Sequence, residues 1–324
     1  MQRVLTGVCW LYFAVSIALW IILRQTGDRW WLATVLLFGP YRLWAVPLAP
    51  LAGAAILFCR RSIWVVLLSA WMVLFPIMHF CVPWRLAIPD FNNGPRLRVL
   101  TCNLQRQKAD ALVSFIEVAK PDVVAIQEWS SQQNSEAFSH GGWHCVTNDE
   151  LFLASRYPIA KMDDAGVHDL QGMGIAVRYD LEMPWGFVHF INLRLASPHQ
   201  SLEYVRWRAP SAPDKIRANS QLRLTQSQLI STYGGNLGPS TLLAGDFNTP
   251  EGSVIHRECW SHFSNAFSTA GFGFGLTYHT KLISTRIDHI LSTTAWRCRD
   301  AWVGPNVGSS HRPVIADFDV PRDH

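Results

Sequence analysis

The sequence predicts a strand-rich α/β domain carried behind about three transmembrane helices. Three observations lead there. Long uncharged apolar runs crowd into the first 85 residues, short alternating runs take over at Arg96, and several of these end on an acid or an amide. Of the 324 residues, 49% are hydrophobic, and the excess belongs mainly to the first part.

The first run, VLTGVCWLYFAVSIALWIIL (Val4 to Leu23), has the length needed to cross a bilayer as a helix. LWAVPLAPLAGAAILFC and WVVLLSAWMVLFPIMHFCVPW add two more, giving spans at about 4–23, 43–59 and 64–84 in a membrane region of residues 1–85. A cleaved signal peptide is an alternative for the first run alone. Trp30, Trp31, Trp44, Trp64 and Trp84 lie near run ends, where aromatic side chains anchor at a membrane interface. By the positive-inside rule the short Arg60–Arg61 loop stays cytoplasmic, which exports the C-terminal domain; Arg24, Arg29 and Arg42 in the preceding loop work against that bias. Residues 86–95 (LAIPDFNNGP) read as a linker and 96–324 as one domain.

Residues 1–85 hold seven arginines and one acid, Asp28; from chain totals of 28 basic and 24 acidic residues, 21 and 23 remain for 86–324. The membrane part therefore carries +6 and the rest −2, which argues against a dedicated duplex-DNA binder. The seven cysteines form no CxxC pair and no zinc-spaced cluster, while a disulfide among Cys145, Cys259 and Cys298 stays open.

Within the domain, RLRVLTCNLQ alternates as a strand and ends in Thr101 and Asn103. DALVSFIEVAK (Asp110 to Lys120) has helical spacing, stopped by Pro121-Asp122, and VVAIQEW is a short buried strand ending on Glu128. LFLASRYPI, GIAVRYDL and GFVHFINLRLASP follow as strands, the last closing with Asn192 and Arg194. A helix-like stretch, Ala218 to Tyr233, leads to STLLAGDFNTP, a strand ending on Asp246 and Asn248. STRIDHILS carries Asp288 within a strand, and GSSHRPVIADF sets His311 just ahead of the last one. GFGFG (Gly271 to Gly275) lacks the lysine and the strand–helix context of a phosphate loop.

Each polar residue alone has an ordinary explanation. Asp246 and Asn248 form turns, Glu128 caps or ion-pairs, Asp288 bonds a neighbouring backbone, and His311 is a packing residue, a metal ligand or a base. Together they are harder to dismiss. Strand ends converge in a packed sheet, and so many acceptors would repel one another without a divalent cation and a phosphate between them.

TCNLQ, VVAIQEW, ASRYPI, INLRLASP, GDFNTP, RIDHIL and SSHRPV, in this order, make residues 96–319 resemble the endonuclease/exonuclease/phosphatase (DNase I-like) superfamily. Three spans ahead of such a domain resemble its bacterial membrane-anchored branch, the teicoplanin-resistance type. The resemblance implies a four-layer α/β sandwich, two mainly antiparallel sheets flanked by helices. It implies a multi-pass protein of the bacterial cytoplasmic membrane that hydrolyses a phosphodiester, phosphomonoester or pyrophosphate by in-line water attack. It places Glu128 and Asn103 on Mg²⁺ or Mn²⁺, and gives the attacking water and phosphoryl oxygens to Asp246 and Asn248. Asp288 would orient His311, and Arg194 would donate to phosphate. The chemistry is coherent: a hard cation on oxygen ligands balances developing negative charge, and a carboxylate fixes the histidine tautomer.

Two positions depart from the pattern. Relatives carry Asp before the histidine, where Ser310 offers a neutral, weaker oxygen, so metal affinity should fall. Arg194 stands where relatives commonly have histidine or tyrosine, and can bind phosphate bidentately. The alternative reading is a catalytically weakened, membrane-tethered protein that binds a phosphate ligand without turnover. Ser201 to Arg223, with Arg206, Arg208, Lys215, Arg217, Tyr204 and Trp207, reads either as a solvated loop or as a positive, aromatic rim to the site. Tethering brings lipid head groups and lipid-linked pyrophosphates within reach, nucleic acid stays open as a substrate, and no protein partner is inferred.

Overall fold

The computed structural model describes residues 2–40, 42–83, 94–130, 138, 141–163 and 175–321. The first apolar run forms one unbroken helix, α1 (Gln2–Thr26). A short helix α2 (Trp31–Leu37) follows, and the second run, 43–59, breaks at Pro47 into the end of α3 (Arg42–Ala45) and α4 (Leu48–Phe58), where a missing N–H interrupts the ladder. α5 (Ile63–Met72) continues into a π-helical turn around Pro76. Two stretches, Gln2–Arg29 and Arg60–Ile77, are long and apolar enough to cross a membrane; Trp31–Leu37 with Arg42–Phe58 makes a third only as one pair bent by 77°. The expected 43–59 span is thus not one straight helix, since the 11 residues of α4 reach about 17 Å at ~1.5 Å per residue, against a core of about 30 Å.

The helical part has two distinct ends. Thr6 Oγ1 lies 2.9 Å from Ser62 Oγ, so the start of α1 meets the Arg60–Ser62 turn. The other end of α1 meets the domain, where Arg29 pairs with Glu258 at 2.6 Å. The predicted linker, 86–95, lies mostly outside the described residues.

The domain runs β1 (Arg96–Asn103), α6 (Asp110–Ala119), β2 (Val123–Gln127), then the hairpin β3 (His144–Asn148) and β4 (Leu151–Ser155). β5 (Ile159–Asp163), β6 (Ile175–Met183) and β7 (Gly186–Arg194) follow as a meander, and α7 (His199–Arg206) and α8 (Ala212–Gly235) lead to β8 (Thr241–Asp246). The remainder is α9 (Val254–Trp260), β9 (Ser264–Asn265), α10 (Ala266–Ala270), the short hairpin β10 (Tyr278–His279) and β11 (Ser284–Thr285), β12 (Asp288–Ser292), β13 (Arg297–Val303) and β14 (Val314–Asp319).

Two six-stranded sheets result, ordered β13-β14-β1-β2-β4-β3 and β5-β6-β7-β8-β12-β9. Each contains one parallel pair, β1/β2 and β7/β8, joined through helices, and is otherwise antiparallel. Alternation sorts the side chains. Leu97, Val99 and Ala125 meet Phe190, Leu242 and Ala244 between the sheets. Leu100 and Val124 pack outward on Leu112 and Ile116 of α6, while Ile191 and Leu243 pack outward on Ile230 of α8 and Trp260 of α9. The order helix, sheet, sheet, helix is the four-layer sandwich expected above. The expected strand 284–292 splits in two, so Asp288 opens β12 instead of lying within a strand, and the expected helix 218–233 starts earlier, at Ala212. All seven cysteines carry free thiols.

The N-terminal helices pack directly on the domain. Leu19, Leu23, Phe38, Val73 and Ile77 share one apolar cluster with Ile287 and the half-buried Tyr278. Cys81 and Gly273 exchange backbone hydrogen bonds of 2.8 and 3.0 Å, and Phe80 sits edge-on to Phe272 and Phe274. The GFGFG motif is therefore a docking strip for the end of the N-terminal helical part.

Candidate active site

On the inner faces of both sheets, apolar side chains give way to polar ones toward one end. Along β1 the series is Leu97, Val99, Thr101, Asn103; along β7 it is Phe190, Asn192, Arg194; along β8 it is Leu242, Ala244, Asp246. β12 runs the other way and begins with Asp288, directly opposite Asp246. The C-terminal ends of both parallel pairs thus meet, the place where α/β sheets bind ligands.

All seven residues named above as candidates join one network. The Asn103 side-chain amide donates to Glu128 Oε1 and Asp246 Oδ2, both at 3.0 Å. Asn248 donates from its backbone to Asp246 Oδ1 at 2.9 Å and from its amide to Leu195 O at 2.8 Å. Arg194 reaches Glu128 Oε1 at 3.0 Å, and His311 Nδ1 donates to Asp288 at 2.9 Å. Glu128 (φ 52°) and Asn248 (φ 48°) both adopt left-handed backbone, a strain that the surrounding hydrogen bonds hold in place. Gly245 has φ +150°, and a Cβ there would lie 1.9 Å from Leu193 O, which requires the glycine before Asp246.

Asp246, Asp288 and His311 are 1–3% exposed, with ligand atoms within 4.8 Å of one another. Burial, then the Asp288 charge, pushes the Asp246 carboxyl up to about 6. Burial lowers His311, but the charges of Asp288, Asp246 and Glu128 outweigh it and lift the imidazole to about 9. These carboxylates therefore favour the imidazolium form of His311 at neutral pH.

A family scan matches residues 100–311, more than half of the chain, to the Endonuclease/Exonuclease/phosphatase family. The chain belongs to that family. Its members are hydrolytic phosphoesterases. A search of curated proteins finds no match. Among solved structures, a family protein from Bacteroides thetaiotaomicron is 13% identical with a TM-score of 0.53, covering 70% of this chain and 98% of its own. A humanized TDP2 from D. rerio is 14% identical with a TM-score of 0.53, covering 69% and 99%. A mannosyl-6-phosphatase from Bacteroides thetaiotaomicron is 13% identical with a TM-score of 0.50, covering 68% and 99%. At these identities the likeness is one of fold.

Several members of this endonuclease/exonuclease/phosphatase site were not legible in the sequence. Glu150, at the β3–β4 turn, accepts from Arg194 at 3.0 Å and pairs with Arg106. Gln127 and Asn192, both fully buried, bridge the two sheets beneath the cluster at 2.7 Å. Ser310 donates its N–H to Gln105 Oε1 at 3.0 Å, and its carbonyl accepts from the His279 N–H at 2.8 Å. Tyr278 packs on the His311 ring with centroids 4.9 Å apart. The 201–223 stretch is helical instead of a loop, with Arg206, Trp207, Arg208, Lys215 and Arg217 exposed but Arg223 fully buried.

The donor set fits a hard divalent cation. Asp246 and Asp288 bring buried carboxylate oxygens together with Glu128 nearby, and the repulsion already visible in Asp246 is what such an ion relieves; the Asn103 amide turns its nitrogen to Glu128 and Asp246, while its oxygen accepts from the Gln105 N–H at 2.9 Å.

Proposed function

We propose that this chain is a membrane-anchored, divalent-metal-dependent phosphoesterase whose catalytic domain faces the extracytoplasmic side of a bacterial cytoplasmic membrane. The observation that carries the reading is the buried Asp288–His311 pair set beside Asp246 at the meeting point of the two sheets. Glu128, Asp246 and Asp288 would hold Mg²⁺ or Mn²⁺, joined by Asn103 once its amide is flipped to turn the oxygen inward, and the ion when bound supplies positive charge for the developing oxyanions. Asp246 accepts a hydrogen bond from the attacking water, and the Asn248 amide aligns it. His311, its Nδ1 engaged by Asp288, presents Nε2 as a cationic donor to the phosphoryl group. Arg194 adds a guanidinium to the same charge. The common end shared by the start of α1 and the Arg60–Arg61 turn supports an inward N-terminus and an outward domain.

The substrate class within phosphoric esters is decided by a turnover screen of the full chain in detergent. The panel is bis-p-nitrophenyl phosphate, nucleic acids, phospholipids and prenyl pyrophosphates, each with Mg²⁺ or Mn²⁺ and with His311→Ala as control. Metal-dependent turnover lost in His311→Ala supports the reading. Absence of turnover on every substrate overturns it, and phosphorylated-ligand binding indifferent to EDTA would favour the tethered binding protein instead.

A further inference from the structure

The first membrane loop reaches into the catalytic domain. Asp28, in the one-turn helix Gly27–Arg29, is 5% exposed although it belongs to the membrane part. Its Oδ2 accepts from Ser253 Oγ at 2.5 Å and from the Ile255 N–H at 3.3 Å. Its Oδ1 lies 3.3 Å from Nη1 of Arg223, an ion pair in which both side chains are almost completely buried. Gly27 is needed for the approach, because a Cβ there would come within 2.9 Å of Val254.

Among the described residues, Arg223 has no carboxylate from its own domain. It lies on α8, and its Nη1 also donates to the backbone carbonyl of Asn248 at 3.0 Å. Its remaining bonds go to Asn219 and Ser220 on the same helix, and its guanidinium sits 5.3 Å above the ring of Phe38, again from the membrane part. A guanidinium cannot shed its charge, so a dry site needs a fixed anion beside it. That anion comes from residue 28.

We propose that Asp28 is a positioning residue of the active site: through Arg223 it pins the strained Asn248 and the loop from Phe247 to Ser253 in register with Asp246. The membrane part is then a structural component of the site, beyond serving as a tether. A fragment starting at residue 96 keeps every residue of the polar cluster but loses Asp28 and Phe38, leaving Arg223 buried and unbalanced. The catalytic part of this proposal rests on the phosphoesterase reading; the structural coupling does not.

The test uses the full chain in detergent, comparing wild type, Asp28→Asn and Arg223→Lys. Turnover of bis-p-nitrophenyl phosphate with Mg²⁺ is measured with amide hydrogen exchange across the domain. Asp28→Asn should lower kcat by on the order of 10²-fold with KM nearly unchanged, the scale of a small misplacement of a catalytic group. Exchange should rise in 246–253 and stay level in 96–103. Arg223→Lys keeps the buried charge but shortens the reach to Asn248, and should give the same local pattern; it decides the matter where Asp28→Asn does not fold. Unchanged exchange in 246–253, or a uniform rise through the domain, overturns the proposal. A wild type without turnover defeats the phosphoesterase reading alone, and the exchange pattern still decides the coupling.

Discussion

Asp288→Asn removes the carboxylate that holds His311 and leaves its shape almost unchanged. The lift of His311 from 6.5 to about 9 corresponds to a few kcal/mol in favour of the imidazolium, at ~1.36 kcal/mol per pH unit. Burial acts against that lift, and Asp288 is the first of the charges that reverse it. Without it, burial prevails and the imidazole falls to its ordinary value or lower. The sign follows: a raised group stays protonated below its folded value and loses its proton as pH rises through about 9. At pH 7.5 the imidazolium fraction would drop, and kcat should fall by on the order of tenfold, with lost orientation adding to it. The assay is the pH–rate profile of the full chain on bis-p-nitrophenyl phosphate with saturating Mg²⁺. The alkaline limb of Asp288→Asn should lie on the acid side of the wild-type limb measured with the same Mg²⁺. A variant with an unchanged alkaline limb and unchanged kcat would refute the assignment of His311 as a cationic donor held by Asp288.

Other perturbations separate fold from chemistry. Gly245→Ala should cost more than about 3 kcal/mol, read as a large fall in thermal midpoint, because a backbone carbonyl occupies the space of the new Cβ. Asn192→Leu strands Gln127 and two carbonyls between the sheets and should cost about 1–3 kcal/mol in denaturant unfolding. Arg98→Ala breaks a mostly buried bidentate pair with Asp317 and frees the Ala119 carbonyl, and should cost about 1–3 kcal/mol in the same experiment. Ser310→Asp adds a carboxylate beside the cluster and should tighten Mn²⁺ binding by about tenfold, measured by calorimetry on the full chain. No change in Mn²⁺ binding would separate Ser310 from the ion.

The site residues that sequence revealed share one property: they stand at strand ends, where an alternating apolar pattern breaks off into a polar side chain. Asn103, Glu128, Asp246 and His311 are all of this kind, and local periodicity is enough to find them. Glu150 lies in a turn where acids are common, so nothing in its neighbourhood marks it. Arg223 looked like one more charge in a basic stretch, because burial depends on α8 packing against two other segments. Its partner Asp28 is almost 200 residues away in the chain, within a region whose sequence speaks only through hydropathy and net charge. The bend between α2 and α4 was missed for a related reason: composition alone hides where prolines break a helix. β13, with an irregular register against β14 near Cys298, has too weak an alternation to stand out.

Asp246 and Asp288 face each other as cross-strand partners. Because neighbouring residues in a strand point to opposite sides, inserting or deleting a single residue in β12 would swing Asp288 outward and bring His289 into its position. Length changes in this strand must come in pairs to keep the chemistry, whereas the hairpin tip at 280–283 can lengthen or shorten by any number. Indels across natural variants of this chain should respect that parity.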